Sequence, residues 1–321
     1  MDAASKTLEL RVRRMTMEAE DVLSVVLTSD DGRDLPDFEC GSHIDLIMRP
    51  DLIRQFSLCG PREQRSEWTI AVLLEPNGRG GSQFVHEVLR PGMKVSAAGP
   101  RSNFKLIDAD QYLFIAGGIG ITPLIPMVHQ VVADDKDWRL LYGGRRRSSM
   151  AFVQELSELG QQVSVTPEDE FGLLDLKNAI EPLPNDAAVY CCGPEALIGA
   201  VEAVCAELGR PAPRVERFGA RPMRDAEDAS TENQAFEVVL SESGDHFKVP
   251  ADRTIIEVLS DAGYDILTSC EEGYCGTCET EVLGGVPDHR DEYLDDEERA
   301  TNKRMMICVG RSKTPQLILK L

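Results

Sequence analysis

The chain is 321 residues long, which suits two or three domains better than one compact core. Its formal net charge of −21 argues against nucleic acid and against an anionic membrane surface as partners, because both are bound through basic side chains. Nine cysteines follow an opening, Met1-Asp2-Ala3-Ala4-Ser5-Lys6, that has no apolar signal segment, so the thiols are expected to be reduced or metal-bound in the cytoplasm.

Residues 8–98 read as β-structure. Leu8-Glu9-Leu10-Arg11-Val12 alternates apolar and polar, and further strands are expected at 22–28, 44–48, 55–58 and 69–74. Turns such as Asp30-Asp31-Gly32 and Pro91-Gly92 separate them. Short strands at this density predict a small barrel or sandwich. On its strand, Arg54-Gln55-Phe56-Ser57 sends Arg54 and Phe56 to one face, and Gln55 and Ser57 to the other. Further on, Asn77-Gly78-Arg79-Gly80-Gly81-Ser82 precedes a helical stretch at 83–89. Glycines ahead of a serine at a helix start can offer free N–H groups to an anion. Taken alone, the stretch fits a β-turn leading into a capped helix slightly better.

From about residue 110 the period changes. Residues 113–116 read as a buried strand, followed by Gly117-Gly118-Ile119-Gly120-Ile121-Thr122-Pro123 and an apolar helix to 132. Thr122 is expected to cap that helix, with Pro123 in its first position. The uncharged run 112–128 is short for a membrane span, and its three glycines and two prolines favour this strand–loop–helix reading. Strands at 138–142, 162–165 and 187–191 alternate with helices at 150–159 and 194–208, which predicts a parallel, doubly wound sheet. The glycine loop is not the strict G-x-G-x-x-G pattern. Its place between strand and helix is what gives it weight.

Residues 221–234 are polar and read as a linker. Strands at 236–240 and 247–249 follow, then a short helix opened by a Thr254…Glu257 capping box, and late strands at 305–309 and 317–321. Between them lies Cys270-Glu271-Glu272-Gly273-Tyr274-Cys275-Gly276-Thr277-Cys278, with Cys308 much later. The spacing C-x4-C-x2-C…C is that of a plant-type [2Fe–2S] cluster, which needs four thiolates, three of them from one wrapping loop. Gly273 and Gly276 let that loop bend where a Cβ would clash. A structural zinc site would call for paired C-x2-C units or spaced histidines, and only one such pair is present.

The order of these motifs resembles the phthalate dioxygenase reductase and vanillate O-demethylase reductase family over essentially the entire chain. Arg54 to Ser57 resembles that family's flavin motif R-x-Y-S, with Phe56 in place of tyrosine and so without its hydroxyl. Residues 78–82 resemble its FMN-phosphate loop, and Gly117 to Pro123 with Cys191-Cys192-Gly193-Pro194 its two nicotinamide motifs.

The resemblance implies an N-terminal antiparallel β-barrel for FMN at 1–108, an α/β NAD domain with a doubly wound parallel sheet at 109–222, a linker at 223–234 and a β-grasp α+β ferredoxin domain at 235–321. It places the flavin phosphate at Arg54, Gly80, Gly81 and Ser82, Phe56 and the backbone of Ala71 and Val72 along the ring, and Ser57 near flavin N5. Gly118 and Gly120 would admit the NAD pyrophosphate. Thr122 would reach toward the flavin–nicotinamide contact, Cys192, Gly193 and Pro194 would flank the nicotinamide, and Phe218 would lie near the flavin. Ser57, Thr122 and Cys192 are thus the expected catalytic residues. Cys270, Cys275, Cys278 and Cys308 are the expected cluster ligands.

Function follows from the same resemblance: a reductase passing electrons from NADH through FMN and a [2Fe–2S] cluster to a partner oxygenase. That partner is expected to be of the Rieske type, with a cytochrome P450 as the alternative, and the reductase is expected to be a monomer. One feature pulls the other way on the nucleotide. No acidic residue follows the strand at 138–142, where Gly143-Gly144-Arg145-Arg146-Arg147 stands instead, and arginines such as Arg145 could accept the 2′-phosphate of NADPH. Two rivals remain: an electron carrier whose flavin domain is only structural, and a flavin enzyme acting directly on a small substrate. Cys40, Cys59 and Cys205 read as core fillers. His289 and the acidic run 291–298 read as solvated surface.

Overall fold

A computed structural model of the protein describes residues 7–50, 52–219, 233–264 and 266–321. The chain divides into two compact units, Met1–Phe218 and Gly219–Leu321.

The first unit opens with β1 (Leu8–Ala19), β2 (Val22–Ser29), β3 (His43–Arg49), β4 (Leu52–Ser57), β5 (Trp68–Leu73) and β6 (Lys94–Arg101). Their order is β4-β3-β6-β1-β2-β5, and every neighbouring pair is antiparallel. A bridge from Leu58 to Ile70 joins the two outer strands, so the sheet closes into a barrel. Alternation puts Leu10, Val12, Val25, Leu27, Ile44 and Leu46 inside. β6 has few strand-forming residues, and no strand was expected there. It is held as a strand because β1 pairs with one edge and β3 with the other. The helical stretch after the glycine loop is one α-turn, Gly81–Gln83, passing into a π-turn, Phe84–Val88, in which the Leu89 N–H reaches the Phe84 carbonyl at 2.9 Å.

β7 (Gln111–Gly117), β8 (Asp137–Gly144), β9 (Val163–Pro167), β10 (Ala188–Cys192) and β11 (Arg214–Glu216) form a parallel sheet in the order β11-β10-β7-β8-β9. Successive residues of β7 face opposite layers. Tyr112, Phe114 and Ala116 pack with Leu124, Met127 and Val128 of helix Leu124–Ala133. Leu113 and Ile115 pack with Ile180, Ile198 and Val201, from the helices Leu176–Ile180 and Glu195–Glu207. The helix at 176–180 and the strand β11 were not expected. The helix is announced only by Asp175, whose carboxylate accepts from the Asn178 N–H at 3.2 Å. Barrel residues Val22, Cys40, Cys59 and Ala71 belong to the same core as the first of these layers, which makes barrel and sheet one unit. Arg62, donating to Gln130 at 2.8 Å, adds a polar tie. Among the described residues no helix is long and apolar enough to cross a membrane.

In the second unit, β12 (Phe236–Leu240), β13 (His246–Val249), β14 (Glu279–Gly284), β16 (Arg304–Met306) and β18 (Gln316–Leu319) form a mixed sheet, β13-β12-β18-β14-β16, beside a two-stranded pair of β15 (Pro287–Asp288) and β17 (Arg311–Ser312). Helix Ile255–Asp261 starts at the expected capping box, with Thr254 N–H to Glu257 at 2.8 Å and Glu257 N–H to Thr254 at 3.2 Å. Its Ile255 and Leu259 pack on Val238, Leu240, Leu317 and Leu319. This is the β-grasp arrangement, one helix laid across a small mixed sheet. The expected linker falls, as far as residue 232, outside the described residues.

Candidate nucleotide, flavin and cluster sites

β7 has β8 on one side and β10 on the other, and the chain leaves its carboxyl end in a crevice between the two. In an open parallel sheet such a switch point is where ligands bind. Two loops line it, 117–123 and 192–194. They approach closely, since a Cβ on Gly193 would lie 2.9 Å from Gly117 Cα and one on Gly117 would lie 2.7 Å from Pro194 Cδ. Gly120 is also packed, because a Cβ there would sit 2.3 Å from the Cys192 carbonyl oxygen. Gly120 therefore serves loop-to-loop packing. Gly118 is the open position: its φ is +56° and nothing lies within 4 Å of a Cβ.

Thr122 is not the helix cap. A 3-10 turn, Gly118–Ile121, intervenes, the cap position falls to Pro123, and the helix begins at Leu124. The Thr122 side chain is buried and its hydroxyl donates to the Ile119 carbonyl at 2.9 Å. A one-residue shift followed because the glycine loop winds as 3-10 before the α-helix can start. Cys192 ends β10, fully buried, and burial holds its thiol well above the usual range, so it remains protonated.

The sequence reading overlooked Glu216, the last residue of β11. The residue is half-buried, but its Oε2 is sealed from solvent and has no hydrogen-bond partner among the described residues. Burial pushes its carboxyl up to about 8, with the Ser57 hydroxyl, within hydrogen-bonding reach, pulling the other way. Its charge also bears on the Cys192 thiol. The signal available in sequence was an acid, Glu216, at the end of a short apolar–polar stretch beside Arg217. Arg217 is itself held by Glu195 at 2.8 Å and Glu202 at 2.9 Å.

Around the barrel mouth, the Arg54 guanidinium donates to the Arg79 carbonyl at 2.5 Å, and its stem lies over Gly81, where a Cβ would fall 2.4 Å from Arg54 Cγ. Gly80 has a left-handed φ of 83°, which turns the chain into the helix. The Ser82 hydroxyl accepts from the Glu75 N–H at 3.0 Å, so it closes its own loop. Phe56 is half-buried. Ala71 and Val72 are buried on β5, and the Val72 carbonyl is engaged by His86 Nε2 at 2.9 Å. Phe218 is exposed. Beyond β8, Arg145 and Arg146 are exposed, while Arg147 pairs with Glu170 at 3.1 Å.

In the second unit Cys270, Cys275, Cys278 and Cys308 are all buried and converge. Cys270 is in hydrogen-bonding contact with Cys275 and with Cys308, and Cys308 with Cys278. Burial and thiol neighbours raise Cys275 and Cys308, a cost that a metal relieves by taking the thiolate. A two-iron cluster, with two thiolates on each iron, fits this set better than one tetrahedral zinc. Gly273 and Gly276 have φ of +80° and +76°, as the bent loop requires. Glu292, Asp295, Asp296 and Glu297 are exposed, as expected of the acidic run. Asp291 at its start departs from that expectation with a fully buried side chain, and so does His289, whose side chain is only 9% exposed.

Residues 238–313 match the 2Fe-2S iron-sulfur cluster binding domain, and residues 114–203 match the oxidoreductase NAD-binding domain. Fold and sites together define an iron–sulfur oxidoreductase that uses a pyridine nucleotide. The chain is 38% identical to the vanillate O-demethylase oxidoreductase of a Pseudomonas strain, over 98% of its own length and all of the relative's. It superposes on phthalate dioxygenase reductase, described as a modular structure for electron transfer from pyridine nucleotides to [2Fe-2S], with a TM-score of 0.71 and 35% identity, covering 98% of both chains. It also superposes on an intact type IV self-sufficient cytochrome P450 monooxygenase with a TM-score of 0.87 and 39% identity, covering 98% of this chain but 41% of that one. The chain belongs to the family of phthalate dioxygenase reductase and vanillate O-demethylase reductase.

Proposed function

We propose that this protein is the reductase component of an oxygenase system, carrying electrons from NADH through FMN and a [2Fe–2S] cluster to a Rieske-type oxygenase. The observation that carries this reading is the presence in one chain of two chemistries. A dinucleotide crevice lies beside a barrel mouth, with Ser57 and Glu216 set between them, and a four-thiol loop forms a separate compact unit.

The residues at the barrel mouth suit FMN. Arg54, whose stem lies against Gly81, and the N–H groups at Gly80 and Gly81 would hold the flavin phosphate, and the orphaned Glu216 Oε2 can take a polar partner. When bound, the flavin supplies the change from a two-electron donor to one-electron transfers. The protein's own part is placement and proton control. Cys192 and Gly193 would wall the nicotinamide position, Gly118 would leave room for the pyrophosphate, and Ser57 would lie beside the ring. Glu216, neutral at pH 7, can hold a proton at the Ser57 hydroxyl. Cys270, Cys275, Cys278 and Cys308 would hold the cluster.

Charge on the second unit fits delivery to a separate protein. Residues 235–321 carry eighteen acidic against nine basic residues, and Glu271 and Glu272 are exposed in the cysteine loop. Transient redox contacts are small, and their charges set encounter rate more than affinity. The deciding experiment mixes purified reductase, NADH and candidate oxygenases and measures product formation. Turnover of an organic substrate by the reductase alone would overturn the reading. The similarity to the P450 fusion supports a second acceptor class, so P450s belong in the same screen. The reductase is proposed to act as a monomer, which light scattering on the purified protein tests.

A further inference from the structure

The buried pair His289 and Asp291 lies in a segment that presses on both glycines of the cysteine loop. A Cβ on Gly273 would lie 3.0 Å from Asp291 Cα, and one on Gly276 would lie 2.0 Å from Tyr293 Cε2. Between these contacts the Glu292 N–H donates to the Gly273 carbonyl at 3.0 Å. Three consecutive residues therefore lie along the loop that carries Cys270, Cys275 and Cys278.

The segment is itself held at Asp291. Its Oδ2 accepts from the Leu294 N–H at 2.9 Å, and its main-chain carbonyl accepts from Arg299 Nη2 at 2.5 Å. Arg299 stands on helix Asp296–Thr301, which a second capping box, Asp295 with Glu298, starts firmly. The His289 Nδ1 lies 3.6 Å from Asp291 Oδ1, too far for a hydrogen bond. Six buried side-chain polar atoms lack a partner among the described residues, and four of them belong to His289, Asp291 and Arg299. Polar groups are kept in such a place at a cost, so the place is worth explaining.

We propose that residues 291–293 are a strap that holds the cysteine loop in its cluster-binding shape, and that Asp291 is the positioning residue that anchors the strap. This rests on the iron–sulfur reading of the four cysteines, but it assigns work to residues that lie outside the Cys270–Cys278 motif. The strap acts through Gly273 and Gly276: it leaves no room for side chains there and fixes the loop's left-handed turns. Removing the anchor frees the loop to open and release iron.

The test uses the full chain in its iron-loaded form. Iron and sulfide per chain, the EPR spectrum of the dithionite-reduced protein, and the rate of cluster loss to excess EDTA are compared for wild type, Asp291→Ala and Asp291→Asn. Asp291→Ala is expected to lose its cluster roughly tenfold faster, as removal of a buried acceptor implies, and to show shifted g-values at equal iron content. Asp291→Asn keeps an acceptor for the Leu294 N–H and is expected to restore the wild-type rate and spectrum. A wild-type rate and spectrum in Asp291→Ala would overturn the proposal, as would an Asn variant no better than the Ala variant. If Asp291→Ala accumulates no cluster, Gly276→Ala is compared with Gly276→Ala/Tyr293→Ala. The single variant should lose iron and the double variant should recover part of it. No recovery, or a Gly276→Ala variant indistinguishable from wild type, refutes the strap. Absence of iron from the wild-type protein would instead refute the cluster reading beneath it.

Discussion

The hydroxyl of Ser57, the last residue of β4, meets the carboxyl group of Glu216, the last residue of β11. One comes from the barrel and the other from the edge of the parallel sheet. Their meeting marks where the two halves of the first unit share chemistry. Burial raises the Glu216 carboxyl to about 8, against the opposing pull of the Ser57 hydroxyl, so it is largely neutral at pH 7.

A pH dependence follows for Glu216. Its carboxyl is raised from 4.5 to about 8 in the folded chain, so folding retains a proton that unfolding releases. Its contribution is thus most favourable below the unfolded value and is lost as pH rises toward 8. Glu216→Gln removes this dependence. Thermal unfolding across this range should show the variant's Tm rising relative to wild type as pH increases. NADH-dependent ferricyanide reduction should fall on the order of a hundredfold if Glu216 handles a proton. A variant with parallel Tm curves and full activity would refute both roles.

The bound flavin is expected to be FMN, released by heat and identified by chromatography. Gly81 lies directly against the Arg54 stem, so Gly81→Val must displace the guanidinium from the proposed phosphate site. Purified Gly81→Val should carry less than about a tenth of the wild-type flavin, since a charge-assisted contact is worth 1.5–3 kcal/mol, roughly tenfold or more in affinity. Recovery of FAD as the main species would overturn the assignment.

NADH is expected to be the preferred donor, and Arg145 sets the margin. Arg145 and Arg146 are exposed beyond β8, while Arg147 is already engaged by Glu170. Arg145→Glu should leave kcat/KM for NADH within about threefold and lower that for NADPH at least about tenfold, by repelling the 2′-phosphate. A wild-type kcat/KM higher for NADPH than for NADH would reverse the preference.

A chain ending at Arg224 should keep most NADH-dependent ferricyanide reduction, because the first compact unit ends at Phe218. It should fail to reduce the oxygenase partner. In the full chain, transfer to a basic acceptor should slow as salt rises, since exposed charges are screened over about 8–10 Å near physiological ionic strength. Full-rate reduction of the partner by the truncated chain would show that electrons leave from the flavin directly.

Local chemistry was legible in the sequence wherever neighbours along the chain carry it. The cysteine spacing, the Thr254–Glu257 capping box, the alternation of β1 and the glycine loop after β7 are contacts within a few residues, and residue order determines them. What the sequence left open depends on residues brought together from far apart. β6 is a strand because β1 and β3 flank it, not because of its own composition. Gly120 packs against the Cys192 carbonyl of a loop more than seventy residues away, which its place in a glycine motif does not reveal. His289 and Asp291 looked solvated in a charged run, yet they lie buried behind the cysteine loop. Glu216 carries no motif at all. Its raised carboxyl exists only because the folded chain removes water from one oxygen, against the opposing pull of Ser57, and desolvation is a property of the tertiary structure alone.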